Sequence, residues 1–395
     1  MTTRDACSKV GRTVLALGLT LGLGCGGGGS DADGGTQHGG GKDSSAAQPG
    51  DGSTPAASTD ASTPATASDA APPMGMGGMA PVPKNCVAPA PNQPPEVLSC
   101  TGLYSDIAAK KLGSDVHEFA PAVPLWSDGA DKTRWVYLPA GEKIDISAPD
   151  SWRFPIGTKF WKEFRSGTKR METRVYWKLS ATFWARTAYK WNDAETEATR
   201  SGGEEVKVAG GTYHIPSTTE CDQCHKGRLD RALGFEAISL GMTGATGLTL
   251  AELDKQGLLT GGPVPSNLKI GDDGTGLSAD ALAWLHVNCG VSCHNGNSAA
   301  EGYSSTLRLD LKVADANGKP PTGTDAFKTA INVTATTGAW LGRVRIVPGA
   351  PDKSLLYSLM STRTPATMKN QMPPIASRVV PKDAAQLIKD WIAAM

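Results

Sequence analysis

The chain has 395 residues, enough for two or three domains, and its 39 basic side chains are balanced by 39 acidic ones. That balance excludes the long basic field that nucleic acid demands, so no nucleic-acid partner is expected. Gly and Pro are abundant, at 47 and 27, and much of the excess precedes residue 97, ahead of a Trp-clustered region typical of a packed domain.

The N-terminus reads as an export signal. Arg4, Lys9 and Arg12 form a positive region, and residues 14–23 form an apolar run too short to span a bilayer comfortably. The run ends in Leu21-Gly22-Leu23-Gly24-Cys25, which resembles a bacterial lipobox, although Gly22 stands where Leu is usual. Residues 1–25 are therefore expected to be a signal peptide. Cys25 would carry the lipid that anchors the mature protein to a membrane, in the periplasm or at the outer membrane. A soluble secreted form is the alternative. Residues 26–84 are Gly, Ser, Ala, Thr, Pro and Asp, with too little apolar area to offset ordering entropy, and read as a flexible tether. Met74, Met76 and Met79 fall within it. Low-complexity drift explains them better than copper(I) binding does.

Residues 85–215 read as an antiparallel β domain. Cys86 and Cys100 flank a Pro-rich loop and could form a disulfide, which an oxidising compartment permits. Arg134-Trp-Val-Tyr-Leu138, Trp152-Arg-Phe-Pro-Ile-Gly157 and Lys159-Phe-Trp-Lys-Glu-Phe164 precede a turn at Ser166-Gly167. Glu172-Thr-Arg-Val-Tyr-Trp-Lys-Leu179 and residues 182–191 follow. Aromatics alternating with charges suit strands with one wet face and a Trp-lined sandwich core.

The remainder divides into a segment at 216–277 and a mainly helical region at 278–395. Ser278 is placed to N-cap a helix, with Asp280 in its first turn and Leu282, Trp284 and Leu285 toward the core. Pro381 suits a first helical residue, and Ala384, Leu387, Ile388, Trp391 and Ile392 repeat at helical spacing. The expected fold class is α+β, a Trp-rich antiparallel β domain followed by a mainly helical region.

Each part of that second half carries a Cys/His motif. Cys221-Asp222-Gln223-Cys224-His225 places two thiols and an imidazole on one turn of chain. That is the signature for covalent haem attachment, with Cys221 and Cys224 forming thioethers and His225 ligating iron. Half a zinc site or a redox dithiol are the rival readings, and the thioredoxin-like context for a dithiol is missing. Cys289-Gly290-Val291-Ser292-Cys293-His294 has one residue more. Cys289, Cys293 and His294 suit a second haem if Gly290 lets the longer loop pucker. A Cys289–Cys293 disulfide, or one zinc held by all four thiolates, are the alternatives. Met372, in Asn370-Gln371-Met372-Pro373-Pro374, is the expected sixth ligand opposite His294, with Met368 and Met360 behind it. For the first haem the candidate axial ligands are Met242, His214 and His286, or the site is open.

With these motifs in place, the chain resembles a family of bacterial exported di-haem cytochrome-like proteins over about residues 98–391. The matching pieces are Leu125-Trp-Ser-Asp-Gly-Ala-Asp-Lys-Thr-Arg134, Phe154-Pro-Ile-Gly157, Glu172-Thr-Arg174, Trp191-Asn192, residues 221–225, Leu285-His-Val-Asn-Cys289, Val347-Pro-Gly-Ala-Pro-Asp-Lys-Ser354 and Met372-Pro-Pro374. The last two also look like cytochrome c domains generally. The resemblance implies two molecules of haem c and electron transfer with redox partner proteins. This sequence departs from the family at 289–294, where Cys-x-x-Cys-His is usual. A peroxidase-like haem enzyme, or a surface-binding protein with a structural metal, are the alternatives from other classes.

Overall fold

Strand-forming alternation dominates the first half of the chain, and capped short helices dominate the second. A computed structural model describes residues 86–208, 211–364 and 370–395. The expected signal peptide, Cys25 and the tether lie outside the described residues. The strands are β1 (Tyr104–Asp106), β2 (Lys111–Leu112), β3 (Val116–Ala120), β4 (Asp131–Tyr137), β5 (Ile144–Asp145), β6 (Lys159–Ser166) and β7 (Lys169–Lys178). They continue as β8 (Trp184–Trp191), β9 (Ala198–Ser201), β10 (Glu204–Val208), β11 (Gly211–Ile215), β12 (Thr246–Gly247) and β13 (Leu259–Thr260). The α-helices are α1 (Thr218–His225), α2 (Ala237–Gly241), α3 (Leu250–Lys255), α4 (Ser278–Leu285), α5 (Asp325–Ala330), α6 (Leu355–Met360) and α7 (Lys382–Ala394). Residues 98–215 are thus a Trp-rich antiparallel β region, and residues 218–394 a mainly helical one. Among the described residues no helix is long and apolar enough to cross a membrane.

One seven-stranded antiparallel sheet, ordered β12-β3-β4-β6-β7-β8-β9, is the scaffold. Gly167, at φ +58°, takes the left-handed position in the tight β6–β7 turn. The Trp152–Gly157 stretch is not a strand of this sheet. Arg153 makes only an isolated bridge to Asp145. Pro155 removes a ladder donor there.

The expected sandwich with one wet face is not what forms. A single sheet is covered on both sides. Trp135, Trp161, Tyr189 and Trp191 pack on one face against Leu98, Leu103 and Tyr104. The Cys86–Cys100 disulfide ties the chain ahead of that cover to a 3-10 turn at Leu98–Thr101. On the other face Val136, Phe160, Tyr176 and Trp184 join Phe235, Leu282, Ile388 and Trp391 in one core cluster. The core therefore runs unbroken across position 215, where the chain changes from strand to helix. The charges that suggested a wet face are paired inside. Glu163 and Glu172 are 1% and 0% exposed. Glu163 accepts hydrogen bonds from Tyr104 Oη and Arg170 Nε, both at 3.0 Å. Glu172 accepts from Arg174 at 2.5 and 3.0 Å and from Tyr213 Oη at 2.7 Å.

Helix α4 begins at Ser278 itself, one residue earlier than a Ser278 cap would give, with Leu277 at the cap. The Ser278 hydroxyl turns back to accept from Asp273 N at 2.8 Å instead. In α7, Pro381 occupies the cap, and Ala385, Ile388, Trp391 and Ile392 are buried, while Ala384 and Leu387 sit at the margin. That face packs on α4, as the apolar spacing requires.

The helical layer is pinned to the sheet by a buried ion pair. Lys178 Nζ, at the end of β7, meets both carboxylate oxygens of Asp230 at 2.7 and 2.6 Å. Asp230 also accepts from Phe154 N at 2.6 Å and Trp184 Nε1 at 3.2 Å. Removing one partner would leave the other charge buried and uncompensated, which costs about 3–5 kcal/mol. Asp230→Ala should therefore lose about that much stability in urea titration, and Asp230→Asn less, since it keeps an acceptor for the Phe154 and Trp184 donors. A loss below about 1 kcal/mol in Asp230→Ala would show that the pair does not pin the layers.

Candidate functional site

The first Cys/His motif sits on α1, and the sequence caps that helix tightly. Ser217 and Glu220 form a capping box, with Glu220 N donating to Ser217 Oγ at 3.3 Å and Ser217 N to Glu220 Oε2 at 2.8 Å. Asp222, inside the motif, is held by Arg231 Nη1 at 2.9 Å and by Arg186 Nη2. His225 Nδ1 lies 2.5 Å from the carbonyl of Arg231, which fixes it as the donor nitrogen and leaves Nε2 for a ligand. The imidazole stacks on Tyr176, with ring centroids 4.0 Å apart. Burial, with Lys162 nearby, holds His225 well below the usual histidine range.

The second motif solves its extra residue by changing helix type. Helix α4 runs directly into a π-helical turn at His286–Gly290. Val291 N donates to His286 O at 2.8 Å, and His294 N donates to Cys289 O at 2.8 Å, both five residues back. A π-turn holds one more residue than an α-turn, so the link from the histidine N–H to the first cysteine carbonyl survives the insertion. Gly290 serves this turn differently from the expected pucker. A Cβ there would lie 2.4 Å from Asp310 N, so glycine is needed because the 309–310 backbone passes against it. Asn295 Nδ2 closes the turn by donating to Gly290 O at 3.0 Å and Val291 O at 3.1 Å. His294 Nδ1 is 3.2 Å from Ser305 Oγ, and burial pushes the ring's pKa down to about 4.

Both motifs open onto one cavity of about 350 Å³, at the small end of cofactor pockets. Cys221, Cys224, His225, Cys289, Cys293, His294 and Met372 all line it. The four cysteines are free thiols, so the Cys289–Cys293 disulfide is not formed. The chain just past the first motif lies against the second. A Cβ on Gly227 would fall 2.2 Å from Ser292 O, and Lys226 Nζ is 2.7 Å from Glu301. Burial, with Cys293 close by, raises the Cys224 thiol to about 12. Among the described residues no three His, Cys, Asp or Glu side chains are grouped to hold a bare ion, so one zinc shared by the four thiolates is not assembled.

Met372 reaches the cavity from a loop tied down at both ends. Gln371 is fully buried and donates to Pro373 O at 2.9 Å and Ser377 O at 2.8 Å. Asp128 accepts from Arg378 N at 2.8 Å and Val379 N at 3.1 Å. Its neighbour Trp126 donates N–H to Asn288 Oδ1 at 2.6 Å and Nε1–H to Val379 O at 3.1 Å. Residues 125–128 thus join the second motif to the Met372 loop.

The other candidate ligands fare differently. Met242 and His286 do not line the cavity. Met242 packs against the core, and His286 is 2% exposed with Nδ1 accepting from Leu311 N at 2.9 Å. His214 does border the cavity, but its ring nitrogens face Glu205 at 3.0 Å and Glu220 at 2.9 Å. Met360 is buried in the core, and Met368 lies outside the described residues.

A further group of cavity residues belongs to no motif. Arg134, Lys162 and Arg174 are paired across β4, β6 and β7 in one rung of the sheet, and all three line the cavity. Their signal was present: period-two alternation puts residues 134, 162 and 174 on the same face as Val136, Phe160 and Tyr176.

The donor set suits haem. Two thiol pairs, two imidazoles and a thioether line the same cavity, with cations and aromatic rings among its walls. Comparison with protein-family models, curated proteins and solved structures returned no match.

Proposed function

We propose that this chain is an exported di-haem c-type cytochrome that transfers electrons in the periplasm or at the outer membrane. Cys221 and Cys224 would hold one haem and His225 would ligate its iron. Cys289, Cys293 and His294 would hold the second, with Met372 opposite. Haem supplies the one-electron chemistry when bound; the chain orients it, excludes water and tunes its potential. The reading rests on one observation. Two Cys-Cys-His sets from separate segments open onto one cavity, with all thiols free and each imidazole Nδ1 within reach of a partner.

A peroxidase-like reading is kept for the first centre, because of its three candidate sixth ligands two lie off the cavity and His214 faces carboxylates. Replacing Cys221 and Cys224 together by Ala should remove one haem, seen in the intact mass and in the pyridine haemochrome. The wild-type-minus-variant spectrum is then that of the first haem. A low-spin form favours electron transfer and a high-spin, five-coordinate form favours the enzyme. An unchanged haem mass would remove the motif from the proposal.

Cys25 is proposed to carry the membrane anchor, since it closes the apolar run of residues 14–23. Cys25→Ser should move the mature protein from the membrane to the soluble fraction. Unchanged fractionation, with equal lipid labelling of both forms, would place the anchor elsewhere.

Met372 is proposed as the soft axial ligand of the second haem. Met372→Ala should abolish the weak sulfur-to-iron band of the oxidised protein. It should also lower one reduction potential by on the order of 100 mV, a fraction of the roughly 0.8 V that axial ligation commands. If Met372 only fills space beside Leu359 and Trp340, stability falls while both potentials stay where they were.

A further inference from the structure

The cations on the sheet wall are more than the protein itself can balance. Glu172 is the carboxylate among them, and Arg174 and Tyr213 already engage it. Lys162 Nζ donates to Leu233 O at 3.1 Å, and Lys132 Nζ to Leu125 O, so each meets a carbonyl rather than a negative charge. Arg134 has less. It is 4% exposed, it lines the cavity, and its Nε and Nη2 meet no acceptor among the described residues.

The carboxylates that line the cavity are committed elsewhere. Asp128 holds the 377–379 backbone, Glu220 caps α1 and faces His214, and Glu301 pairs with Lys226. Desolvation accordingly lowers Arg134 to about 10 and Lys162 to about 7. A buried charge without a counter-charge is unfavourable, and a guanidinium presents a planar fork that matches a carboxylate.

We propose that the Arg134–Lys162–Arg174 rung is a carboxylate-binding cradle facing the first Cys/His motif. Its occupant is a carboxylate-type anion with one of two sources: a propionate of a haem held at Cys221 and Cys224, or a free small carboxylate entering the cavity. The first source rests on the haem reading above; the second does not. The shared chemistry is a planar anion taken by the Arg134 fork, with Lys162 beside it as a second cation that meets no carboxylate and Arg174 held to Glu172 at the end of the rung.

The test uses the full-length matured protein, with haem counted by pyridine haemochrome. Acetate is titrated calorimetrically at constant ionic strength, and both reduction potentials are measured, in wild type and in Arg134→Gln. If a propionate fills the cradle, acetate gives no heat, and Arg134→Gln lowers one of the two potentials with haem stoichiometry unchanged. If the anion is free, wild type binds acetate and Arg134→Gln weakens that binding at least about tenfold, one hydrogen-bonded charge pair's worth. Silent acetate titration together with unshifted potentials in Arg134→Gln overturns the cradle. Should Arg134→Gln fail to fold, Arg134→Lys keeps the charge but loses the fork. It should then move the same potential, or the same acetate affinity, in the same direction by less, and no change in either overturns the proposal. Should the chain carry no haem, the haem reading fails by itself. Acetate binding that Arg134→Gln weakens then supports the cradle, and its absence refutes it.

Discussion

The contact between Lys178 and Asp230 is the constraint on which the site depends. Both groups are buried, so neither tolerates the loss of the other, and the loop after α1 is fixed against the sheet. Arg231 follows immediately, held at φ +56°, and its carbonyl is the group facing His225 Nδ1. Its guanidinium reaches back to Asp222 inside the motif. An ion pair on one side of the loop therefore decides which nitrogen of the histidine remains free on the other. The site is built less by its ligands than by the backbone that positions them.

The two motifs reach the same result by different local means. The first uses a capped α-helix, where the regular turn brings two cysteines and a histidine to one side. The second has one residue too many for that and inserts a π-turn between α4 and His294. Such turns are uncommon because their hydrogen bonds are poorer, and they concentrate at functional positions. Here the turn is buttressed on two sides, by Asn295 closing its carbonyls and by the 309–310 backbone lying against Gly290. The irregularity is thus built in by neighbours rather than left to the segment.

Much of this was legible in the sequence. The strands β4, β6, β7 and β8 declared themselves by alternation, α7 by its apolar spacing, and the cavity-lining cysteines, His225, His294 and Met372 by motif. What was not legible depended on the second partner in each interaction. Alternating charges in β6 and β7 look like a wet face, because nothing local reveals that Tyr104, Arg170 or Tyr213 will arrive to satisfy them. His286 looks like a ligand until Leu311 N is found against it. The capping box at Ser217 and Glu220 is legible from its spacing alone, three residues apart just ahead of the motif. The π-turn could not be read, as a one-residue insertion has no distinct periodicity over so short a span.

The clamp formed by Trp126, Asp128 and Asn288 bears on how the chain must fold. The Trp126 indole reaches a carbonyl 253 residues away at Val379. Contacts of such long sequence separation require loop closure before they are rewarded, which places their formation late. During synthesis the sheet can assemble well before the C-terminal helix has emerged, while the cavity still lacks one wall. The space between the motifs would stay open to solvent and to incoming groups through that interval, and the arrival of the last few dozen residues would close it. Chain order thus gives the molecule a built-in assembly schedule, with the wall bearing Met372 among the last parts to come.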